Sequence, residues 1–183
     1  RRQRDVTRDP SADGVYQIEW ESRPLPAVSD SIAPTPAGLL WQVDVDAEPD
    51  NLSARCEDLK RCVESAETPV WVVTRGAQPV GMSDIINPAN AALWGLGRIL
   101  ALTHRKRWGG LIDLDPSADP AQNQAMLAAF LADPQGEDQV ALRGGQVYAP
   151  RLERLKTPLP EPRPIHPDRS CLITGGLGGL GLA

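Results

Sequence analysis

The sequence predicts an α/β fold built on a mainly parallel sheet. Three observations predict it. Apolar, β-rich runs alternate with segments of helical period; two of those segments open on Asn-Pro and Asp-Pro; and a glycine-rich turn follows directly on an apolar run at the end of the chain.

Composition narrows the field first. The 183 residues suit one domain or two small ones, and 41% hydrophobic residues are enough for a core. A net charge of -5 argues against a nucleic-acid partner. The basic residues are 16 Arg against 3 Lys, which also argues against a Lys-rich polyanion binder. No apolar run approaches the ~20 residues that span a bilayer, so no membrane association is expected. Residues 1–14, "RRQRDVTRDPSADG", are charged and hold Pro10 and Gly14. With no apolar stretch after the basic start they read as a loose, cut linker and not as a secretory signal. Cys56, Cys62 and Cys171 make an odd set, and the first two lie six apart, which is not a CxxC spacing. They read as reduced thiols of a cytoplasmic protein, with no metal site.

The elements follow in order. "VYQIEW", residues 15–20, alternates apolar and polar side chains and predicts a half-buried strand. The proline-rich residues 21–38 predict an irregular connection. "LLWQVDVD", residues 39–46, is a second strand. Leu52, Cys56, Leu59 and Val63 then recur at helical spacing, with Glu57, Asp58 and Lys60 opposite. "TPVWVVTRGA" is a buried strand closed by Gly76, so strand, helix and strand make a βαβ unit. Asn87 caps the next helix with Pro88 in its first turn, and Ala92, Leu96, Ile99 and Leu100 mark its expected apolar face. It ends near Thr103 and His104, before Arg105, Lys106 and Arg107. Gly95 and Gly97 inside it each cost about 1 kcal/mol against Ala, which a close helix–sheet contact would explain. "GGLIDLD" is another strand. Asp119 and Pro120 start a helix whose apolar face is Met126, Leu127, Phe130 and Leu131. Residues 138–154 predict a hairpin around Arg143, Gly144 and Gly145. "LKTPLPEPRPIHPD" carries five prolines and reads as a stiff connector before a new strand, "CLIT".

Domain boundaries follow: a linker at 1–14, an α/β domain at 15–155, a Pro-rich linker at 156–169 and the start of a second domain at 170–183. Within the last, Thr174, Gly175, Gly176, Leu177, Gly178, Gly179, Leu180 and Gly181 form the candidate cofactor-binding turn. Gly176, Gly178 and Gly181 satisfy GxGxxG; Thr174, Gly175, Gly179 and Gly181 satisfy TGxxxGxG. Such a turn lets the backbone approach a pyrophosphate at a helix N-terminus. Its place after a strand and a domain linker is the context that supports this reading.

"VWVVTRGA", "NPANAALWGLGRILALTH", "RWGGLIDLD", "QVALRGGQVYAPRLER" and "CLITGGLGGLG", in that order, resemble the ketoreductase domain of modular polyketide synthases. The likeness runs from Val15 onward. It implies a truncated Rossmann-like structural subdomain followed by the start of a short-chain-dehydrogenase Rossmann fold. It implies NADPH as cofactor and reduction of a carrier-bound β-ketoacyl thioester to a β-hydroxyacyl thioester. The partners it implies are an acyl carrier protein, the catalytic subdomain and neighbouring synthase domains. The family's catalytic Ser, Tyr, Lys and Asn have no counterparts here: neither Tyr16 nor Tyr148 has a Lys four residues on, and no catalytic residue is assigned. "ALTHRKRWGG" departs from the acidic residue and proline often found before that Trp. The short connector also implies that no enoylreductase is inserted between the two parts. The alternative is a non-catalytic scaffold beside an inactive reductase half.

The remaining polar residues have plainer readings. His104 ends a helix, where positive charge is favoured, and neither it nor His166 takes a catalytic role. Trp94 and Trp108 read as packing residues and not as a substrate platform. Asp113 and Asp115 share a strand face, and paired carboxylates can exchange protons; the reading preferred is a strand end, with Asp115 opening a turn. Arg98 and the 105–107 run read as a solvated helix end, with an acidic carrier as the alternative.

Overall fold

A computed structural model describes residues 15–25, 38–43, 51–81 and 84–155, and the single positions 168, 170, 172, 174 and 178. The linker expected at 1–14 and most of the Pro-rich connector lie outside the described residues, as does Cys171. The chain divides into two compact units, Ile18–Glu153 and one made of Arg1–Gln17 with Arg154–Ala183. In the second, the Leu155 amide donates to the Val15 carbonyl at 3.0 Å.

The element order is β1 (Tyr16–Pro24), β2 (Leu39–Gln42), α1 (Leu52–Ser65), β3 (Val70–Arg75), α2 (Pro88–Thr103), β4 (Trp108–Leu114), α3 (Pro120–Ala132), β5 (Gln139–Arg143) and β6 (Gln146–Arg154). The six strands form one sheet in the order β1-β6-β5-β4-β3-β2. From β2 to β5 neighbours pair in parallel, and β5 and β6 pair antiparallel. The fold is thus α/β and Rossmann-like, as the alternation of periods predicts. The hairpin is made by Gly144 (φ 54) and Gly145 (φ 82). Two successive left-handed residues match the strand twist, and glycine adopts them without a Cβ clash.

Two apolar layers hold the unit. On one face Leu59 and Val63 of α1 and Leu93, Trp94 and Leu100 of α2 cover Val70, Val72 and Leu111. On the other Met126, Leu127, Phe130 and Leu131 of α3 cover Val73, Ile112, Val140 and Leu142. The expected face of α3 is the observed one. Both helix starts are as the sequence predicts. The Asn87 side chain accepts from the Ala89 and Asn90 amides, and Asp119 accepts from Gln122.

Trp71 determines the shape of β4. It stands edge-on to Phe130, with ring centroids 5.9 Å apart. The register between β3 and β4 shifts at Val70 and Trp71, so that Trp71 lies beside Gly110. A Cβ on Gly110 would sit 2.5 Å from both the Trp71 ring and the Asp138 carbonyl. The glycines of "WGG" make room for the indole.

Three expectations are corrected. The first strand runs on through Pro24, taking in residues expected in a loop, and most of it is exposed. It is a sheet edge, where a proline, which has no backbone N–H to give to a ladder, is tolerated. The inner face of α2 is Ala89, Asn90, Leu93, Trp94, Gly97 and Leu100; Ala92 and Ile99 are exposed and Leu96 is half-buried. The reason is Gly97: a Cβ there would meet Leu111 Cδ2 at 2.6 Å, so the backbone at 97 lies against β4 and sets the helix rotation. The close contact inferred for both glycines holds for Gly97 alone, since Gly95 has nothing within 4 Å.

Candidate functional site

In sheets of this kind ligands bind outside the carboxyl ends of the parallel strands, on the loops that leave them. Here β3 and β4 end in Thr74-Arg75 and Asp113-Leu114. At the carboxyl end of β4, Asp113 is more than a strand end. It is fully buried. Its Oδ1 accepts from Thr74 Oγ1 at 2.7 Å and from the Ala77 amide at 2.8 Å; its Oδ2 accepts from the Gln78 amide at 3.1 Å. Arg143 Nη2 donates to the same Oδ2 at 2.5 Å. Trp94 Nε1 completes the chain by donating to Thr74 Oγ1 at 2.8 Å. Asp113 and Asp115 therefore do not form a proton-exchanging pair.

Asp115 does open a turn: its Oδ1 accepts from the Ser117 amide and hydroxyl at 2.8 and 2.6 Å. Burial alone would push the Asp115 carboxyl up. The Ser117 hydrogen bonds and the Arg143 charge outweigh it and hold the group below its ordinary value.

The neighbouring loops are fastened in the same way. Arg75 donates to the carbonyls of Asp115, Pro116 and Ala118 at 2.8–3.2 Å, clamping the β4–α3 loop. Asn123 and Asp115 exchange side-chain and backbone hydrogen bonds. Asp84 accepts from the Val80 and Gly81 amides at 2.9 and 3.0 Å. A cavity of about 260 Å³ at this end is lined by Gln42, Thr74, Arg75 and Asn123.

The amides of Ala77 and Gln78 are of the kind that a strand-to-helix turn offers an anion. The Asp113 carboxylate already takes both. The described residues therefore do not fit a nucleotide phosphate at this turn, and the network makes the carboxyl edge rigid.

The other site candidates are placed as follows. Thr174 and Gly178 are exposed. Gly175, Gly176, Leu177, Gly179, Leu180 and Gly181 lie outside the described residues, as does most of the strand expected before them. Arg98 stacks over Trp94, its Cζ 5.8 Å from the ring centroid, and donates to Gln139 Oε1 at 3.1 Å. A groove of about 530 Å³ beside it is lined by Arg98, Leu102, Arg105, Trp108 and Asp138. The His104 amide closes the end of α2 on the Leu100 carbonyl. Trp94 is buried in the core and Trp108 is half-buried. Cys56 and Cys62 are free and half-buried on α1, and burial pushes the Cys62 thiol up. Among the described residues no cluster of His, Cys, Asp and Glu could hold a metal ion, and no helix is long and apolar enough to cross a membrane.

The sequence matches the family described as polyketide synthase extender module SpnB, Rossmann fold domain, over residues 18–152. It is 45% identical over 114 residues to a phenolphthiocerol/phthiocerol polyketide synthase of Mycobacterium tuberculosis, covering 61% of this chain and 7% of that protein. It is 43% identical over 119 residues to erythronolide synthase EryA3 of Saccharopolyspora erythraea, covering 63% of this chain and 4% of that one. The chain is thus a small part of the length of these relatives. Among solved structures it superposes on the ketoreductase from the first module of phoslactomycin biosynthesis in Streptomyces sp. HK803. There the TM-score is 0.56 and the identity 31%, over 91% of this chain and 43% of that one. An A1-type ketoreductase gives a TM-score of 0.56 at 27% identity, over 80% of this chain and 43% of that one. The chain belongs to the Rossmann fold domain family of polyketide synthase extender modules, and its fold is that of the structural subdomain of their ketoreductases.

Proposed function

We propose that this chain is the bracing part of a ketoreductase that reduces a carrier-bound β-ketoacyl thioester to the β-hydroxyacyl thioester in the cytoplasm. Residues 15–155 serve as the structural subdomain and 156–169 as the connector. Thr174 to Gly181 open the NADPH-binding catalytic subdomain and would hold the cofactor's pyrophosphate; the cofactor supplies the hydride. The structural part does no chemistry of its own. It offers the catalytic part a rigid surface, and neighbouring synthase domains and an acyl carrier protein are its partners.

The observation that carries this reading is the internal filling of the strand-end turn by Asp113. A Rossmann-like unit whose own anion-binding amides are taken, followed in the chain by a TGxxxGxG turn, divides the labour between two halves. NADPH binding followed by nicotinamide fluorescence tests it. The chain alone is expected not to bind. The same chain continued through the next ~250 residues of its parent, about one further domain, is expected to bind and to reduce a β-ketoacyl thioester. Tight binding by the short chain overturns the assignment of the site. No binding by either form replaces it with a scaffold beside an inactive half.

A further inference from the structure

The chain is acidic, but its charge is unevenly spread. Between Asp84 and Asp113 no acidic residue occurs, and the basic residues of that stretch are Arg98, Arg105, Lys106 and Arg107. All four are exposed. In a chain of net charge -5, the end of α2 is therefore a cationic face. The turn that carries three of these charges is built and anchored. The Arg107 amide donates to the His104 carbonyl at 2.8 Å, so residues 104–107 close a four-residue turn with Arg105 and Lys106 at its corners. The Val70 amide donates to the Arg107 carbonyl at 2.8 Å, and the Arg107 guanidinium donates to the Glu64 carbonyl. The sheet and α1 hold one end of the turn and α2 holds the other. A fixed backbone loses little freedom when a partner binds to it.

The fold itself has no use for the two corner charges. Elsewhere Arg23, Arg61, Arg143 and Arg151 each lie against a carboxylate. Arg105 and Lys106 make no ion pair and no side-chain hydrogen bond among the described residues. Nor do they cap α2. The Ile99 and Leu100 carbonyls accept from the Thr103 hydroxyl, and the His104 amide also donates to Leu100. A helix dipole favours positive charge within the last turn, and that turn of α2 holds no basic residue.

Arg105 also lines the groove of about 530 Å³, together with Arg98, Ala101 and the half-buried Trp108, and with Asp138 on its wall. We propose that the 104–107 turn and this groove form a docking surface for a protein helix that carries carboxylates on one face and apolar side chains beside them. Arginine forks meet carboxylates at two points, which a lysine cannot do, and three of the four cations are arginine. Trp108 and Ala101 offer the apolar side chains a floor. Asp138 repels an acid at its end of the groove, which confines the partner's carboxylates to the turn. An extended polyanion, nucleic acid or anionic bilayer, spreads its charge over the acidic remainder of the chain and is repelled there. A single helix meets the cationic face alone. The proposal does not depend on which activity the longer polypeptide has.

The probe is a fluorescein-labelled amphipathic peptide of about 18 residues, long enough to be helical, with Glu on one face and Leu beside it. Its anisotropy is followed with this chain and with the polypeptide continued through the reductase half. Binding is expected in both, weakening several-fold between about 0.05 and about 0.3 M sodium chloride. Arg105→Glu with Lys106→Glu is expected to weaken binding by about tenfold or more and to leave the melting temperature unchanged. Lys60→Glu with Arg61→Glu makes the same change in net charge on α1 and is expected to alter binding by no more than about threefold. Equal loss in the two double variants leaves only general charge and overturns the proposal. Unchanged binding to the Arg105→Glu, Lys106→Glu variant overturns it as well, and so does equal binding of the same peptide with Gln in place of Glu. Loss of binding in the longer polypeptide gives the face to the reductase half. Tighter binding of a DNA duplex or of a phosphatidylglycerol vesicle gives it to another class of partner. Either of these results also overturns the proposal.

Discussion

Asp113 and Arg143 are joined at 2.5 Å across β4 and β5, the carboxylate fully buried and the guanidinium nearly so. Arg143 also donates to the Asp113, Leu142 and Gln78 carbonyls at 2.9–3.3 Å. The pair ties the hairpin turn to the loop after β3. Removing one partner strands the other's charge in the core. Asp113→Asn is expected to cost about 3–5 kcal/mol, read from the urea midpoint. Asp113→Asn with Arg143→Met is expected to cost less than the sum of the two single changes, because the stranded charge is gone. A variant Asp113→Asn with an unchanged midpoint would show that the network holds nothing together.

The glycines of α2 and β4 predict opposite signs. Gly95→Ala gains about 1 kcal/mol of helix propensity and meets open space. Gly110→Ala drives a methyl against the Asp138 carbonyl and the Trp71 ring, and backbone cannot yield as a side-chain tip can. It is expected to cost about 1–3 kcal/mol. Thermal melting of the two variants in parallel checks both. Destabilisation by Gly95→Ala would mean that residue 95 has a close neighbour in this chain.

The particular residues show what the sequence could carry and where it stopped. Caps and periods are local, so Asn87, Asp119, the α3 face and the Gly144-Gly145 turn were legible. The rotation of α2 was not, because it is set by Leu111, a residue on another element, pressing on Gly97. Asp113 was legible as a strand residue but not as the centre of a network. Its partners lie 30–39 residues away in the chain, and nothing in "LIDLD" names them. The signal that could have found it is its burial: an Asp amid strand apolars, whose neighbours face the core, needs a partner. The candidate turn at Thr174–Gly181 rests on its glycine pattern alone, since all of it but Thr174 and Gly178 lies outside the described residues.

Stability is expected to fall in acid through Glu137. Hydrogen bonds from Arg151 hold its carboxyl below the ordinary glutamate value; burial opposes them, and the charges of Arg151 and Arg23 add to the lowering. Arg151 Nη1 donates at 3.1 Å and Arg23 Nη1 lies 2.9 Å away. A depressed carboxyl contributes stability that is fully present above its unfolded pKa, about 4.3. That contribution is lost as pH falls through the lower folded value. Glu137→Gln is expected to cost about 1 kcal/mol at neutral pH, the upper end for a partly exposed pair, and to flatten the acid limb of the melting curve. An acid limb identical in both proteins would assign the loss to other carboxylates.

The division of labour between Asp113 and the glycine-rich turn can be tested by damaging each alone in the longer reductase. A bulky side chain in the turn keeps the backbone off the pyrophosphate, so Gly178→Val is expected to weaken NADPH binding by about tenfold or more. It leaves the melting of the Ile18–Glu153 unit unchanged, since Gly178 belongs to the other unit. Asp113→Asn is expected to do the reverse. It lowers the melting temperature, and below that temperature NADPH affinity is kept, because the carboxylate serves the fold and not the cofactor. If Asp113→Asn instead changed NADPH affinity in the folded protein, the amides of Ala77 and Gln78 would be in reach of the nucleotide. The strand-end turn would then have to be read as a second binding site that its own side chain holds shut.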